Sequence, residues 1–371
     1  MGKEFEGILE MEDRGYGFIR QKSISWQRTN DDIFVAPNIV LVNNLRQGNR
    51  VAGDTEPGRE SGLQIKSVSH VNGMPVEDWQ AITRFGNGVP ISPIDPFQLE
   101  RHGDDKTGRV IDAISPIGKG QRSLIVAPPR GGKTVLLKSI AKSLHKNHPE
   151  TQIIVLLVDE RPEEVTEMLR AVKGEVFASS KDQNAQNHIR VAEITLDYAK
   201  RRVEIGEDVV MLVDSLTRLG RSANATQKSS GRTMTGGIDI RAMEFPRALF
   251  GAARKIEEGG SLTVIATALV ETNSRMDDYI FEEFKGTGNM ELVLDRSLAE
   301  QRIYPAVNIL ESGTRQEEKL FGKMTNAHQR LRRELSRYSP REALETLLNL
   351  IEKTRTNDEM LRQFDRRAKV S

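Results

Sequence analysis

Ala127-Pro128-Pro129-Arg130-Gly131-Gly132-Lys133-Thr134 is the stretch on which the reading of this chain turns. The apolar run Leu124-Ile125-Val126 precedes it and reads as a short buried strand. After it, Leu137, Ile140, Ala141 and Leu144 recur at helical spacing. A strand, a glycine loop ending in Lys-Thr and a helix form the setting of a phosphate-binding loop. Glycines let backbone N–H groups approach an anion, and the helix N-terminus adds partial positive charge. Pro129 to Val135 then line a nucleotide, with Lys133 reaching the β- and γ-phosphates and the Thr134 hydroxyl facing Mg²⁺. Ala127 occupies the position where the usual pattern has glycine.

Beyond the loop, near-continuous apolar strands alternate with amphipathic helices. The strands are expected at residues 153–158, 176–178, 209–213, 262–268 and 290–294. A helix opens at Pro162, and another carries Ile189, Ala192, Leu196, Ala199 and Val203 before Gly206. A further helix is expected through Leu249, Ala252, Ala253 and Ile256, stopped by Gly259-Gly260. The fold class is therefore α/β, a mostly parallel sheet covered on both faces, over residues 107–371. Its chemistry belongs at the strand C-terminal ends. Asp214, after Val209–Val213, is placed to organise a metal, and Glu160 to act as general base. Asp159 is adjacent to Glu160 and equally placed, so the residues alone leave that choice open.

Residues 1–72 read differently. Short alternating runs at 5–11, 16–20, 33–35, 49–53 and 63–71 make about five strands, enough for a small barrel. Alternation sets Tyr16, Phe18 and Arg20 on one face, with Ile19 inward, and sets Phe34 outward between Ile33 and Val35. Three aromatics and an arginine on an exposed face form a stacking platform for unpaired bases, or an ordinary second apolar patch. Nine Lys/Arg against ten Asp/Glu in this segment provide no electrostatic funnel. Residues 73–106, rich in proline, read as an extended connector that packs through Trp79, Ile82, Phe85 and Phe97.

Composition bounds the chemistry. The 371 residues contain no cysteine and six scattered histidines, which excludes disulfides, thiol catalysis and Cys-ligated zinc. No apolar run approaches a membrane span, the first residues lack the apolar core of a signal peptide, and the cytoplasm is the expected compartment.

Gly-Tyr-Gly-Phe-Ile followed by Asp-Ile-Phe-Val resembles the paired RNA-binding motifs of cold-shock domains, which are OB-fold barrels. The ordered set Ala-Pro-Pro-Arg-Gly-Gly-Lys-Thr, Val-Asp-Glu-Arg-Pro-Glu-Glu-Val-Thr-Glu, Asp-Ser-Leu-Thr-Arg, Thr-Gly-Gly-Ile-Asp, Phe-Lys-Gly-Thr-Gly-Asn-Met-Glu and Ser-Gly-Thr-Arg resembles the Rho family of bacterial transcription terminators. The resemblance implies a RecA-like P-loop core, a homohexamer, and an RNA-dependent ATPase and helicase. Its cofactors are ATP and Mg²⁺, and its partners are single-stranded pyrimidine-rich RNA and RNA polymerase. It further implies Glu160 as the catalytic glutamate, Arg161 beside it, Arg315 as a finger from the neighbouring subunit and Arg302 as a second arginine at that junction. Tyr304 stands for the aromatic on adenine. The segments holding Arg232, Thr235 and Gly236 and holding Lys285 and Gly286 stand for the pore loops; Tyr16, Phe18, Arg20 and Phe34 stand for the primary RNA site.

Departures from the family are Arg130-Gly131 in the loop, a missing third aromatic near Gly62-Leu63, the stretch 23–30 with Trp26, and a short segment before the barrel. Two other readings are an ATP synthase-type subunit and an RNA-binding regulator with a degenerate nucleotide fold.

Overall fold

A computed structural model describes residues 3–58, 62–101, 105–227 and 237–367. The first part is a five-stranded barrel: β1 (Glu4–Met11), β2 (Gly17–Arg20), β3 (Ile33–Val35), β4 (Arg50–Pro57) and β5 (Leu63–Val71). The strands run in the order β3-β2-β1-β4-β5, and a β3–β5 pairing at Phe34 and Gln64 closes the cylinder. Leu9, Ile19, Ile33, Val35, Val51 and Ile65 fill it, as alternation requires. A short helix α1 (Pro37–Val42), which the strand pattern does not foreshadow, follows β3.

The connector is ordered and divides its apolar residues among three cores. After the strand pair β6 (Met74–Pro75), helix α2 (Val76–Gln80) puts Trp79 into the barrel core, while Phe85 and Phe97 enter the two cores flanking the large sheet. Strand β7 (Pro90–Ile91) is an edge strand, where proline is tolerated because no ladder donor is lost.

Helix α3 (Lys106–Ile114) leads into the sheet: β8 (Arg122–Ala127), β9 (Gln152–Glu160), β10 (Glu175–Ser180), β11 (Asp208–Asp214), β12 (Arg254–Ile256), β13 (Ser261–Leu269), β14 (Met290–Val293) and β15 (Gly313–Thr314). Its order is β10-β9-β11-β13-β8-β14-β15, parallel throughout except for the β14–β15 edge pair and β12. Helices α4 (Lys133–Asn147), α5 (Pro162–Ala171), α6 (Ala185–Glu204), α7 (Leu216–Thr226), α8 (Glu244–Gly251), α9 (Arg275–Phe284) and α10 (Arg296–Glu300) connect the strands. The helix expected through Ile256 ends at Gly251. Residues 254–256 are instead an antiparallel strand between β13 and β7, so tertiary pairing overrides the local helical spacing. Helices α11 (Glu318–Phe321), α12 (Thr325–Leu335), α13 (Pro340–Glu352) and α14 (Asn357–Arg367) complete the fold. Ala343, Leu347 and Ile351 are buried against the core, with Leu350 half-buried beside them.

Trp26, in the stretch 23–30, is fully buried between barrel and core. Its ring stacks on Phe177 of β10 at 4.2 Å, and its indole N–H donates to Thr195 Oγ1 of α6 at 2.9 Å. The Ala178 amide donates to the Ile24 carbonyl at 2.7 Å. This stretch is therefore the strap that fixes the barrel to the core.

Candidate nucleotide site and RNA-binding face

Ala127 ends β8, and the following loop turns tightly enough that Gly132 adopts φ 92°, a conformation open to glycine without strain. Arg130 also takes a left-handed conformation at φ 64°. Pro129 and Arg130 are exposed, Gly131 is buried, and Val135 is 71% exposed at the start of α4. Leu136, Leu137 and Ile140 bury the other face of that helix. Lys133 and Thr134 thus open a helix directly at the C-terminal edge of the sheet.

Two carboxylates converge on Lys133. Asp214, at the end of β11, accepts from its Nζ at 2.5 Å, and Glu160, at the end of β9, at 3.0 Å. Thr267 Oγ1 of β13 donates to the same Asp214 oxygen at 2.9 Å. Burial raises the Asp214 pKa and the Glu160 charge adds to that, while Lys133 opposes both. Burial works against the Lys133 ammonium, but Asp214 and Glu160 outweigh it and raise its pKa. Lys133 stays charged.

The backbone points Asp159 and Glu160 in different directions. Asp159 sits at φ 54°, where the β9–β10 register shifts, and this break in the pleat turns Glu160 into the pocket. Glu160 is 1% exposed. Asp159 turns instead toward Arg218 and His188, at 3.5 and 3.9 Å. Glu160 Oε2 is buried and accepts no hydrogen bond among the described residues, although an Arg218 nitrogen lies 3.2 Å away. An orphaned carboxylate oxygen beside a charged lysine is a place for a ligand water.

Arg218, which sequence reasoning does not single out, stands beside the Glu160 carboxylate. It also donates to the Asp159 carbonyl, so it braces both residues of that turn. The available signal is its place in Asp-Ser-Leu-Thr-Arg, four residues after Asp214.

The donors fit magnesium. The Asp214 carboxylate and Thr134 hydroxyl are hard oxygen ligands, and the Thr134 hydroxyl has no hydrogen-bond partner among the described residues. No cluster of three or more His, Cys, Asp or Glu able to hold a metal exists among those residues.

Arg161 is exposed at the start of α5. Arg302 and Tyr304 follow α10, beyond the end of β14 that neighbours Val126, so they lie on the loop's side of the sheet. Both are exposed, Tyr304 by 49%. Arg315 lies at the opposite edge. Thr314 of β15 pairs with Met290, which itself pairs with Ser123 at the start of β8. Arg315 is exposed there and pairs with no carboxylate among the described residues. Its amide donates to the Asn289 carbonyl at 2.9 Å. A Cβ on Gly286 would sit 3.7 Å from its guanidinium, so Lys285-Gly286 and Arg315 share one corner. Lys285 is exposed, 3.5 Å from Glu282, and Gly286 has φ 78°. Arg232, Thr235 and Gly236 lie outside the described residues.

On the barrel, Phe18 and Phe34 are cross-strand partners, and Tyr16, Phe18 and Phe34 form a half-buried cluster with ring centroids 5.7–5.8 Å apart. Arg20 departs from the expected exposed face. It is 3% exposed, its guanidinium paired with Glu10 at 2.5 Å and with Asp32, 5.0 Å from the Phe18 ring. A cation this close to two carboxylates is drawn inward, and only its side facing Phe18 adjoins the aromatic cluster.

The fold and the loop define a P-loop ATPase joined to an OB-type barrel. Residues 108–314 match the ATP synthase alpha/beta family, nucleotide-binding domain, and residues 5–77 match the Rho termination factor, RNA-binding domain. The chain belongs to the Rho family of transcription termination factors. It is 47% identical over 370 residues to transcription termination factor Rho of Pseudomonas aeruginosa, covering 98% of this chain and 88% of that protein. Against the Aquifex aeolicus Rho the identity is 49%, with 97% and 84% covered. Among solved structures, a prototypical ATPase of a bacterial type III secretion system aligns with TM-score 0.60 at 26% identity, over 68% of this chain and 71% of that one. No helix among the described residues is long and apolar enough to cross a membrane.

Proposed function

We propose that this protein is a hexameric, RNA-dependent ATPase and 5′–3′ helicase that translocates along nascent RNA and releases it from RNA polymerase in the cytoplasm. The observation that carries the reading is the placement of Arg315 at the sheet edge opposite its own Lys133, next to Lys285-Gly286. An arginine finger there cannot serve its own loop and must serve a neighbour's. Its shared corner with a pore segment gives hydrolysis a direct mechanical output.

In this mechanism the γ-phosphate displaces the Asp214 and Glu160 carboxylates from Lys133, which then neutralises phosphate charge. Glu160, freed and turned inward by the Asp159 break, orients the attacking water and takes its proton through Oε2. Arg218 holds that carboxylate in place, and Arg161 lies at the rim. Thr134 and Asp214 would hold magnesium, which when bound would supply neutralisation of phosphate charge. Tyr304 packs on the adenine, with Arg302 at the junction, and Arg315 of the adjacent subunit stabilises the transferring phosphoryl group, an effect on the order of 10³–10⁵ in rate. Tyr16, Phe18 and Phe34 capture single-stranded RNA by stacking, about 1–3 kcal/mol per base.

ATP hydrolysis measured without nucleic acid, with single-stranded polycytidine RNA and with duplex DNA tests the reading. RNA-dependent turnover is expected; equal rates in all three refute it. Mixing Arg315→Ala with Lys133→Ala protein should restore part of the activity, because each mixed interface can pair an intact loop with an intact finger.

A further inference from the structure

A cavity of about 590 Å³ opens where barrel, connector and core meet, lined by Arg46, Arg84, Lys200, Arg201, Glu204 and Arg254. Lys200 pairs with Asp197 at 3.0 Å. Glu204 is saturated: Arg46 donates to its two oxygens at 2.7 and 3.0 Å, and the Phe85 amide donates at 2.7 Å. Five cations therefore face two carboxylates, a surplus of three positive charges.

Arg201 shows what that surplus means. Its side chain is 9% exposed, yet its guanidinium donates no hydrogen bond among the described residues. Its Nε approaches a Glu204 oxygen at 3.0 Å without hydrogen-bond alignment. Burial lowers its pKa, and the like charges of Arg46 and Arg84 add to that against Glu204 and Asp197. Its two terminal nitrogens donate no hydrogen bond among the described residues, and an anion in the cavity would take them. The other two arginines are already placed: Arg84 donates to the Asn44 side chain at 2.9 Å, and Arg254 lies 4.7 Å over the Phe85 ring.

The cavity takes one wall from the barrel and one from the core. Arg46 belongs to the barrel. On the other side Gly251 and Ala252 line the cavity and follow Phe250, which packs on Phe284 immediately before Lys285. We propose that this cavity, where barrel and core meet, is a phosphate site that holds the RNA backbone. Arginine forks suit phosphate oxygens, and the surplus charge matches a polyanion. The assignment to RNA rests on the function proposed above; a free phosphate ion carries the same chemistry.

The experiment uses the full chain. Anisotropy of labelled polycytidine RNA is followed across salt for the wild type, for Arg201→Gln, and for Arg84→Gln combined with Arg254→Gln, which leaves the partners of Glu204 intact. Binding about 10-fold weaker at ~0.15 M salt, with the log–log salt slope reduced by about 1–2 and unchanged thermal unfolding, supports the site with RNA as its ligand. In a second arm, inorganic phosphate is titrated calorimetrically into Lys133→Ala protein, whose nucleotide loop is disabled, with and without Arg201→Gln. Phosphate heat lost on Arg201→Gln with an unchanged RNA slope keeps the site and assigns it to free phosphate. An unchanged slope in both RNA variants, with no phosphate heat removed by Arg201→Gln, overturns the site. Wild-type protein that binds no RNA defeats the proposed function instead, and the phosphate arm still decides the site.

Discussion

Two buried charge clusters in this molecule are built on opposite stoichiometry. At the joint between barrel and core, the single carboxylate of Glu10 accepts from three guanidiniums: Arg20 at 2.5 Å, Arg28 at 2.9 Å and Arg190 at 2.5 and 2.7 Å. At the strand ends, two carboxylates share the one ammonium of Lys133, and an oxygen of Glu160 is left without a hydrogen bond. The first cluster is saturated and therefore structural. The second holds back binding capacity, so a phosphate can compete for the lysine and a water for the glutamate. Buried charge alone does not separate a clamp from a site able to take a ligand; unspent hydrogen-bonding capacity does.

The largest effect expected from breaking this contrast lies on the unsatisfied side. Glu160→Gln should lower kcat by about 10²–10⁴. ATP affinity should hold, because Asp214 still retains Lys133 and one buried negative charge is gone. Steady-state kinetics together with nucleotide binding measures both. A kcat within a few-fold of wild type would remove Glu160 from the chemistry.

On the saturated side the loss should be mechanical. Trp26→Ala deletes the ring stacked on Phe177 and strands the Thr195 hydroxyl partner, so a cost of about 3–5 kcal/mol is expected. Because the strap joins two folding units, denaturant unfolding should split into two transitions, with RNA-independent ATP binding surviving the first. A single unshifted transition would show that the strap does not carry the joint.

The two clusters were also unequally legible. Asp214 and Lys133 stand in short motifs whose local context, an apolar strand before and a helix after, places them without knowledge of the rest of the chain. The helix at Lys133, the barrel strands and the sheet follow from periodicity for the same reason. That Glu160 and not Asp159 faces Lys133 depends on a backbone torsion that breaks alternation, which residue types do not announce. Arg20 alternates onto the same face as Phe18, but Glu10 and Asp32, ten residues before it and twelve after it in sequence, draw it inward. Residues 254–256 and Trp26 are set by partners far along the chain, β7 and β13 for the one and Phe177 and Thr195 for the other. Local spacing carries no trace of such partners.

The smallest expected effect concerns proton uptake at the joint, and its sign follows from the Glu10 environment. Burial works against the Glu10 carboxylate, but hydrogen bonds from Arg190 and Arg28 and the charges of Arg190 and Arg20 prevail and lower its pKa from 4.5 to about 2. In the unfolded chain the same carboxyl takes up its proton near 4.5. Between these values the unfolded state binds more protons than the folded one, so acid favours unfolding. The contribution is complete above pH ~5 and is lost as pH falls toward ~2, for a total of about 3 kcal/mol. Glu10→Gln removes this dependence at its source. Urea unfolding at a series of pH values from 7 to 3 should therefore show a stability gap between wild type and variant that narrows steadily below pH 5. Curves that stay parallel down to pH 3 would mean that Glu10 titrates alike in both states, and the three guanidiniums around it would then hold position without favouring its charge.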